Sequence, residues 1–240
     1  MPNAQCSMKP GDRSLKPISD EHGVALIVAL LVMVLLSALG LSLTMVTSTE
    51  ERIAASYRDG NEAFYAADAA LERAVQELAL VPDWNRVLDG SVTSLFVDAQ
   101  ASFGPWPDPS ARNSAEATAL VRCGKTSCTV ADLAASTPER PWGANNPRWQ
   151  LFAWGPVANM SPSGAANSRI YVAAWVADDP SENDGNPLVD GDSSAGANPG
   201  RGMVVVLAHA YGPAGVRRVI EATVARAGGG VRVLSWRELR

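Results

Sequence analysis

The chain has 240 residues, enough for one membrane segment and a single domain of ordinary size, and too few for a second catalytic domain beside them. Its formal net charge of -5 and its scattered basic residues lack the electrostatic footprint of a nucleic-acid binder, so no nucleic-acid partner is indicated. Histidine occurs only at His22 and His209, and G-x-S-x-G, H-E-x-x-H and P-loop patterns are all missing, which argues against an enzyme.

Residues 1–23 read as a hydrophilic leader. Lys9, Arg13 and Lys16 are offset by Asp12, Asp20 and Glu21, and the segment shows no periodicity. The order is the reverse of a secretory signal, because the small residue Gly23 precedes the apolar stretch instead of following it. From Gly23 to Thr49 there is no charged residue. The stretch VALIVALLVMVLLSALGLSL is long enough to cross a bilayer of about 30 Å as a helix, which places a transmembrane segment over 24–48.

Glu50 and Glu51 end the uncharged run, and the pattern becomes one-sided over 49–81. Ile53, Tyr57, Gly60, Phe64, Ala67, Leu71, Ala74 and Leu78 alternate four and three apart, a heptad seam that continues the helix in amphipathic form. Arg58 with Glu62 and Arg73 with Glu77 are spaced for ion pairs along the exposed sides. Pro82 closes the run. Ala54, Gly60, Ala63, Ala66, Ala67 and Ala70 are small enough to let a neighbouring helix approach closely.

Residues 82–115 are rich in Pro, Gly, Asp and Ser and read as a connection, with one short strand near Val92 to Val97. Over 116–240 the strand-like runs are Ala117 to Arg122, Trp149 to Trp154, Ile170 to Ala177, Met203 to Ala210, Val216 to Arg226 and Val231 to Trp236. Gly212-Pro213-Ala214-Gly215 between two of them signals a hairpin. The expected fold class is therefore α+β: a long N-terminal helix packed on an antiparallel β-sheet.

Cys123 and Cys128 in RCGKTSC form a close pair that a disulfide can bridge if the domain lies in an oxidising compartment; two unpaired small side chains are the alternative. The loop 177–202 is acidic and longer than a hairpin needs. Asp178, Asp179, Asp184, Asn186, Asp190 and Asp192, with Glu182 among them, offer the hard oxygen ligands that calcium takes, though not at EF-hand spacing. A solvated acidic loop is the competing reading. No other cofactor is indicated. Trp154 and Trp175 lie in strand-like runs and read as core, as does His209.

The segment from Gly23 to about Ala74 resembles the N-terminal region of PilX-type minor pilins. The motifs that carry the resemblance are G-V-A-L-I-V-A-L at the start, L-G-L-S near the end of the span, E-E-R-I-A, and A-F-Y-A-A-D-A-A-L-E. The resemblance implies cleavage by prepilin peptidase between Gly23 and Val24, methylation of the new amine, and a pilin-like fold. It also implies inner-membrane insertion with the C-terminal domain in the periplasm, and assembly with other minor pilins and the major pilin into an extracellular fibre.

Major pilins usually carry glutamate at the fifth position after the cut, where this chain has Val28. PilX-like proteins and the K-type pseudopilins of type II secretion often lack it too. The leader ends in Asp20-Glu21-His22, where the family more often has Lys, Gln or Arg. Val28 suggests placement in an initiating or tip complex. A K-type minor pseudopilin and a bitopic membrane-anchored periplasmic binding or sensory protein are the alternative readings.

Overall fold

The computed structural model describes residues 21–98, 106–160, 168–182, 185–191 and 200–239. Helix α1 runs from Glu21 to Leu78. Contacts divide the chain into two compact units, 1–53 and 54–240. In the first unit every described residue from 23 onward is exposed.

The second unit is built on the one-sided part of α1. Ala63, Ala66, Ala67, Ala70, Leu71, Ala74 and Leu78 are buried, while Glu72 and Gln76 between them are exposed. The end of α1 is closed by side chains from further along. Trp84 Nε1 donates to the Leu78 carbonyl at 3.0 Å, and Arg226 Nη2 donates to the Val81 carbonyl at 3.0 Å. The same guanidinium lies 4.3 Å over the Trp84 ring. The carbonyl of Leu78, left open at the helix C-terminus, is thus met, and Val81 beyond the helix is tied to β4.

The sheet has five antiparallel strands in sequential order: β1 (Gln150–Pro156), β2 (Tyr171–Asp178), β3 (Met203–Tyr211), β4 (Arg217–Ala227) and β5 (Gly230–Leu239). This α+β layout is the one that hairpin-linked runs predict. Between β3 and β4 the chain turns through Ala214 (φ 55°) and Gly215 (φ 78°), so the expected hairpin is present. Strands β2 and β3 are buried on both faces, and alternation sorts their side chains. Val172, Ala174, Val176, Val204, Val206, Ala208 and Ala210 pack in one cluster with α1. Ala173, Trp175, Ala177, Val205, Leu207 and Tyr211 pack on the opposite face with Trp106 and Trp149.

Two expectations are corrected. Ala117 to Arg122 is not a strand but the body of helix α3 (Ser114–Cys123). Its caps decide the matter: the Asn113 side chain accepts from the Glu116 amide, and Gly124 ends the helix in the left-handed region at φ 74°. Near Val92 to Val97 there is no strand, only a single parallel bridge from Val97 to Trp154. The stretch read as a connection carries the short helix α2 (Asn85–Leu88) and buries Trp84, Val87, Leu88, Phe96 and Trp106. A further short helix, α4 (Val130–Ala134), starts with a capping box between Thr129 and Asp132.

His209 is 3 % exposed, edge-on to Trp175 at 4.8 Å between ring centres, with the Tyr211 hydroxyl 2.9 Å from Nδ1. Burial, helped by the charge of Arg217, holds its pKa down to about 3. The unfolded chain takes up this proton below about pH 6.5, whereas the folded chain does not until about pH 3. Stability therefore falls as pH drops through that window, by up to about 1.4 kcal/mol per pH unit from this group. His209→Gln is expected to flatten the acid limb of unfolding free energy against pH; an unchanged slope between pH 6 and 4 contradicts the assignment. Leu71, 1 % exposed in the α1 face, tests the helix–sheet contact. Leu71→Ala should cost about 2–5 kcal/mol in urea unfolding, and Glu72→Ala, on the outer side, less than about 0.5 kcal/mol.

Candidate functional site

Gly23, Val24 and Val28 all lie in the first turns of α1. Val24 is 63 % exposed and Val28 52 %, and no atom other than those of its own neighbours stands within 4 Å of where a Cβ on Gly23 would be. Among the described residues α1 is the one helix long and apolar enough to cross a bilayer. Its hydroxyls suit that setting. Ser37, Thr44, Thr47, Ser48 and Thr49 each donate to a carbonyl three or four residues back, at 2.8–3.0 Å. None of these groups has to seek a partner in hydrocarbon, where an unmet donor is costly.

The seam read from the heptad pattern divides in the structure. Gly60, Ala67, Leu71, Ala74 and Leu78 are buried and Phe64 is half-buried, whereas Ile53 and Tyr57 remain exposed. Phe64 meets Tyr65 and Trp236 edge-to-face, at 5.5 and 5.8 Å between ring centres. Trp236 also donates through Nε1 to Asp68 at 3.3 Å. Tyr65 and Trp236 thus leave aromatic surface open on the flank of α1 beside β5, and Tyr57 is exposed two turns earlier on the helix. Helical periodicity gave no signal for Trp236, which enters from a strand.

The acidic loop converges in part. The structure brings Asp178, Glu182 and Asp190 together, with one ligand oxygen from each lying within 4.8 Å of the others. Two oxygens about 2.4 Å from one calcium ion can stand no further apart than about 4.8 Å, so these three carboxylates fit a shared cation. Asp178 and Glu182 are buried. Asp190 is half-buried, accepts from the Gly202 amide at 2.6 Å, and has its pKa raised by burial against the opposing pull of that hydrogen bond and of Arg226 and Arg201. Gly191, at φ 67°, passes so close to Glu182 that a Cβ there would stand 2.7 Å from Oε1.

Other members of the proposed ligand set are turned to the loop itself. Asp179 Oδ1 accepts from the Ser181 amide at 2.9 Å, and Asn186 Oδ1 from the Leu188 amide at 3.3 Å. Asp184 and Asp192 lie outside the described residues. Cys123 and Cys128 are joined by a disulfide between the end of α3 and the residue before the Thr129 cap of α4.

Residues 22–72 match the family model described as PilX N-terminal, which covers the apolar part of α1 and most of its amphipathic part. No curated protein and no solved structure matches the chain.

Proposed function

We propose that this chain is a minor pilin of a type IV pilus, held in the inner membrane by the first part of α1 and built into an initiating or tip complex that promotes pilus assembly. The observation that carries the reading is α1 itself. Its residues 23–54 are exposed and apolar over most of their length, so they suit storage in lipid and later burial among the helices of other pilins. The open flank with Tyr57, Tyr65 and Trp236 supplies lateral contact area for such neighbours. Val28 offers no carboxylate to the N-terminal amine of an adjacent subunit, which favours a terminal place over repetition along a shaft.

Processing follows from the same reading. Prepilin peptidase removes residues 1–23 and the amine of Val24 is methylated, with the unit 54–240 on the periplasmic side. Intact-mass spectrometry of the protein from its native membrane tests this directly. A chain that starts at methylated Val24 is expected. Retention of Met1 to Gly23 would instead fit a bitopic anchored protein.

We also propose that Asp178, Glu182 and Asp190 take one calcium ion, supported by their convergence at one point inside the fold. A divalent cation suits such a set, because calcium takes carboxylate oxygens from several side chains at once. In a thermal melt of the full chain in detergent, calcium at about a hundred times its Kd should raise Tm by about 5 °C relative to chelator. Asp178→Asn should abolish the rise. Superimposable melts with and without calcium contradict the site.

A further inference from the structure

We propose that Arg122, Arg140 and Arg148 form a binding site for a phosphate-class oxyanion, where the last turn of α3, the segment after α4 and the entry to β1 meet. The site is independent of the assembly role of α1.

The three side chains are brought together by backbone contacts. Arg122 donates through Nε to the Trp149 carbonyl at 2.6 Å and through Nη2 to the Gln150 side-chain oxygen at 2.7 Å. Its guanidinium therefore sits against the residues that directly follow Arg148. Arg140 in turn donates through Nη1 to the carbonyls of Arg122, at 2.7 Å, and Asp132, at 3.2 Å. Arg148 makes no hydrogen bond or ion pair among the described residues, and its Nη1 is buried without a partner.

What the cluster lacks is an acid. No carboxylate among the described residues forms an ion pair with Arg122, Arg140 or Arg148. Shortage does not explain this, since the chain has 25 acidic residues against 20 basic ones. The Asp132 carboxylate, in the same segment, is taken by Lys125 and by the Thr129 cap. Two of the guanidiniums feel a neighbour: Arg122 and Arg148 are both pulled below the ordinary arginine range by burial first, with Arg148 acting on Arg122 and Arg140 on Arg148. Converging cations with an unmet buried donor are costly to hold together unless an anion joins them.

The anion's class follows from the donors. Nη1 of Arg122, Nε and Nη2 of Arg140 and the whole guanidinium of Arg148 carry no hydrogen bond among the described residues. A carboxylate has two oxygens and one charge to offer. A phosphate group has more oxygens and, as a monoester or free ion, close to two charges, and arginine forks match its edges. The carbonyl end of α3 would repel an anion, but Arg140 covers the Arg122 carbonyl there.

The test uses the full chain in phosphate-free, uncharged detergent. Thermal unfolding is followed in inorganic phosphate, in sodium acetate and in sodium chloride at equal ionic strength. At about ten times its Kd, phosphate is expected to raise Tm by about 3 °C over chloride. Arg148→Gln and, separately, Arg140→Gln should lose that rise, while Arg232→Gln, on the exposed part of β5, should keep it. Glycerol 1-phosphate in place of inorganic phosphate distinguishes the source: an equal rise assigns a phosphomonoester group, and a rise with inorganic phosphate alone assigns the free ion. Equal melts in phosphate, acetate and chloride, or a full phosphate response in both the Arg148 and Arg140 variants, overturn the proposal.

Discussion

The unit 54–240 depends on one contact, between the sheet and a face of helix α1 built largely of alanine. Ala63, Ala66, Ala67, Ala70 and Ala74 are each at most 5 % exposed, and they meet a sheet face of Val and Ala in turn. Leu71, Val75 and Leu78 of α1 join them, and Trp84, Phe152, Ile170 and Ile220 complete the cluster, so small and large apolar side chains together fill the space between helix and sheet. On the other face of the sheet, Trp175, Trp106, Trp149 and Tyr211 fill the space between the sheet and the segment carrying α3. Polar ties join helix and domain as well, among them Leu95 N–H to Glu77 at 3.0 Å. Ser168 donates to Glu62, Trp236 to Asp68, and the Arg218 guanidinium passes across Gly60, where a Cβ would stand 3.1 Å away.

That packing uses one side of α1 and leaves the others free, which is the physical requirement for an assembly element. The domain consumes the seam from Gly60 to Leu78 but not its start at Ile53 and Tyr57. Toward the N-terminus the helix has apolar residues all round, with the hydroxyls of Ser37, Thr44, Thr47, Ser48 and Thr49 bonded to its own carbonyls. Such a surface is indifferent to whether lipid or another apolar helix surrounds it. A glutamate at position 28 would break that indifference and demand a cationic partner; Val28 does not.

The helix and the paired strands could be read from the chain because each has a period that survives without tertiary context. Apolar residues on all sides, then a four-and-three alternation, specify α1; runs such as MVVVLAHAY and VRRVIEATVAR specify strands. Helix α3 was not legible in the same way. Ala117-Thr118-Ala119-Leu120-Val121 has the short apolar, partly β-branched look of a strand, and the deciding signals are the flanking Asn113 and Gly124. The acidic loop was legible as a composition, not as a site. Which carboxylates meet depends on the register that turns Asp178 opposite Val204, and on Glu182 and Asp190 folding back to it. The arginine cluster draws on three segments separated by 18 and 8 residues, Arg122, Arg140 and Arg148, and no local pattern announces it.

The proposed place of this chain is at the end of a fibre, not along its shaft. Its most direct measurement is electron microscopy of purified pili carrying a gold-labelled tag on an exposed loop of the unit 54–240. Label confined to one end of each fibre is the predicted result. Label spaced regularly along the shaft contradicts the account.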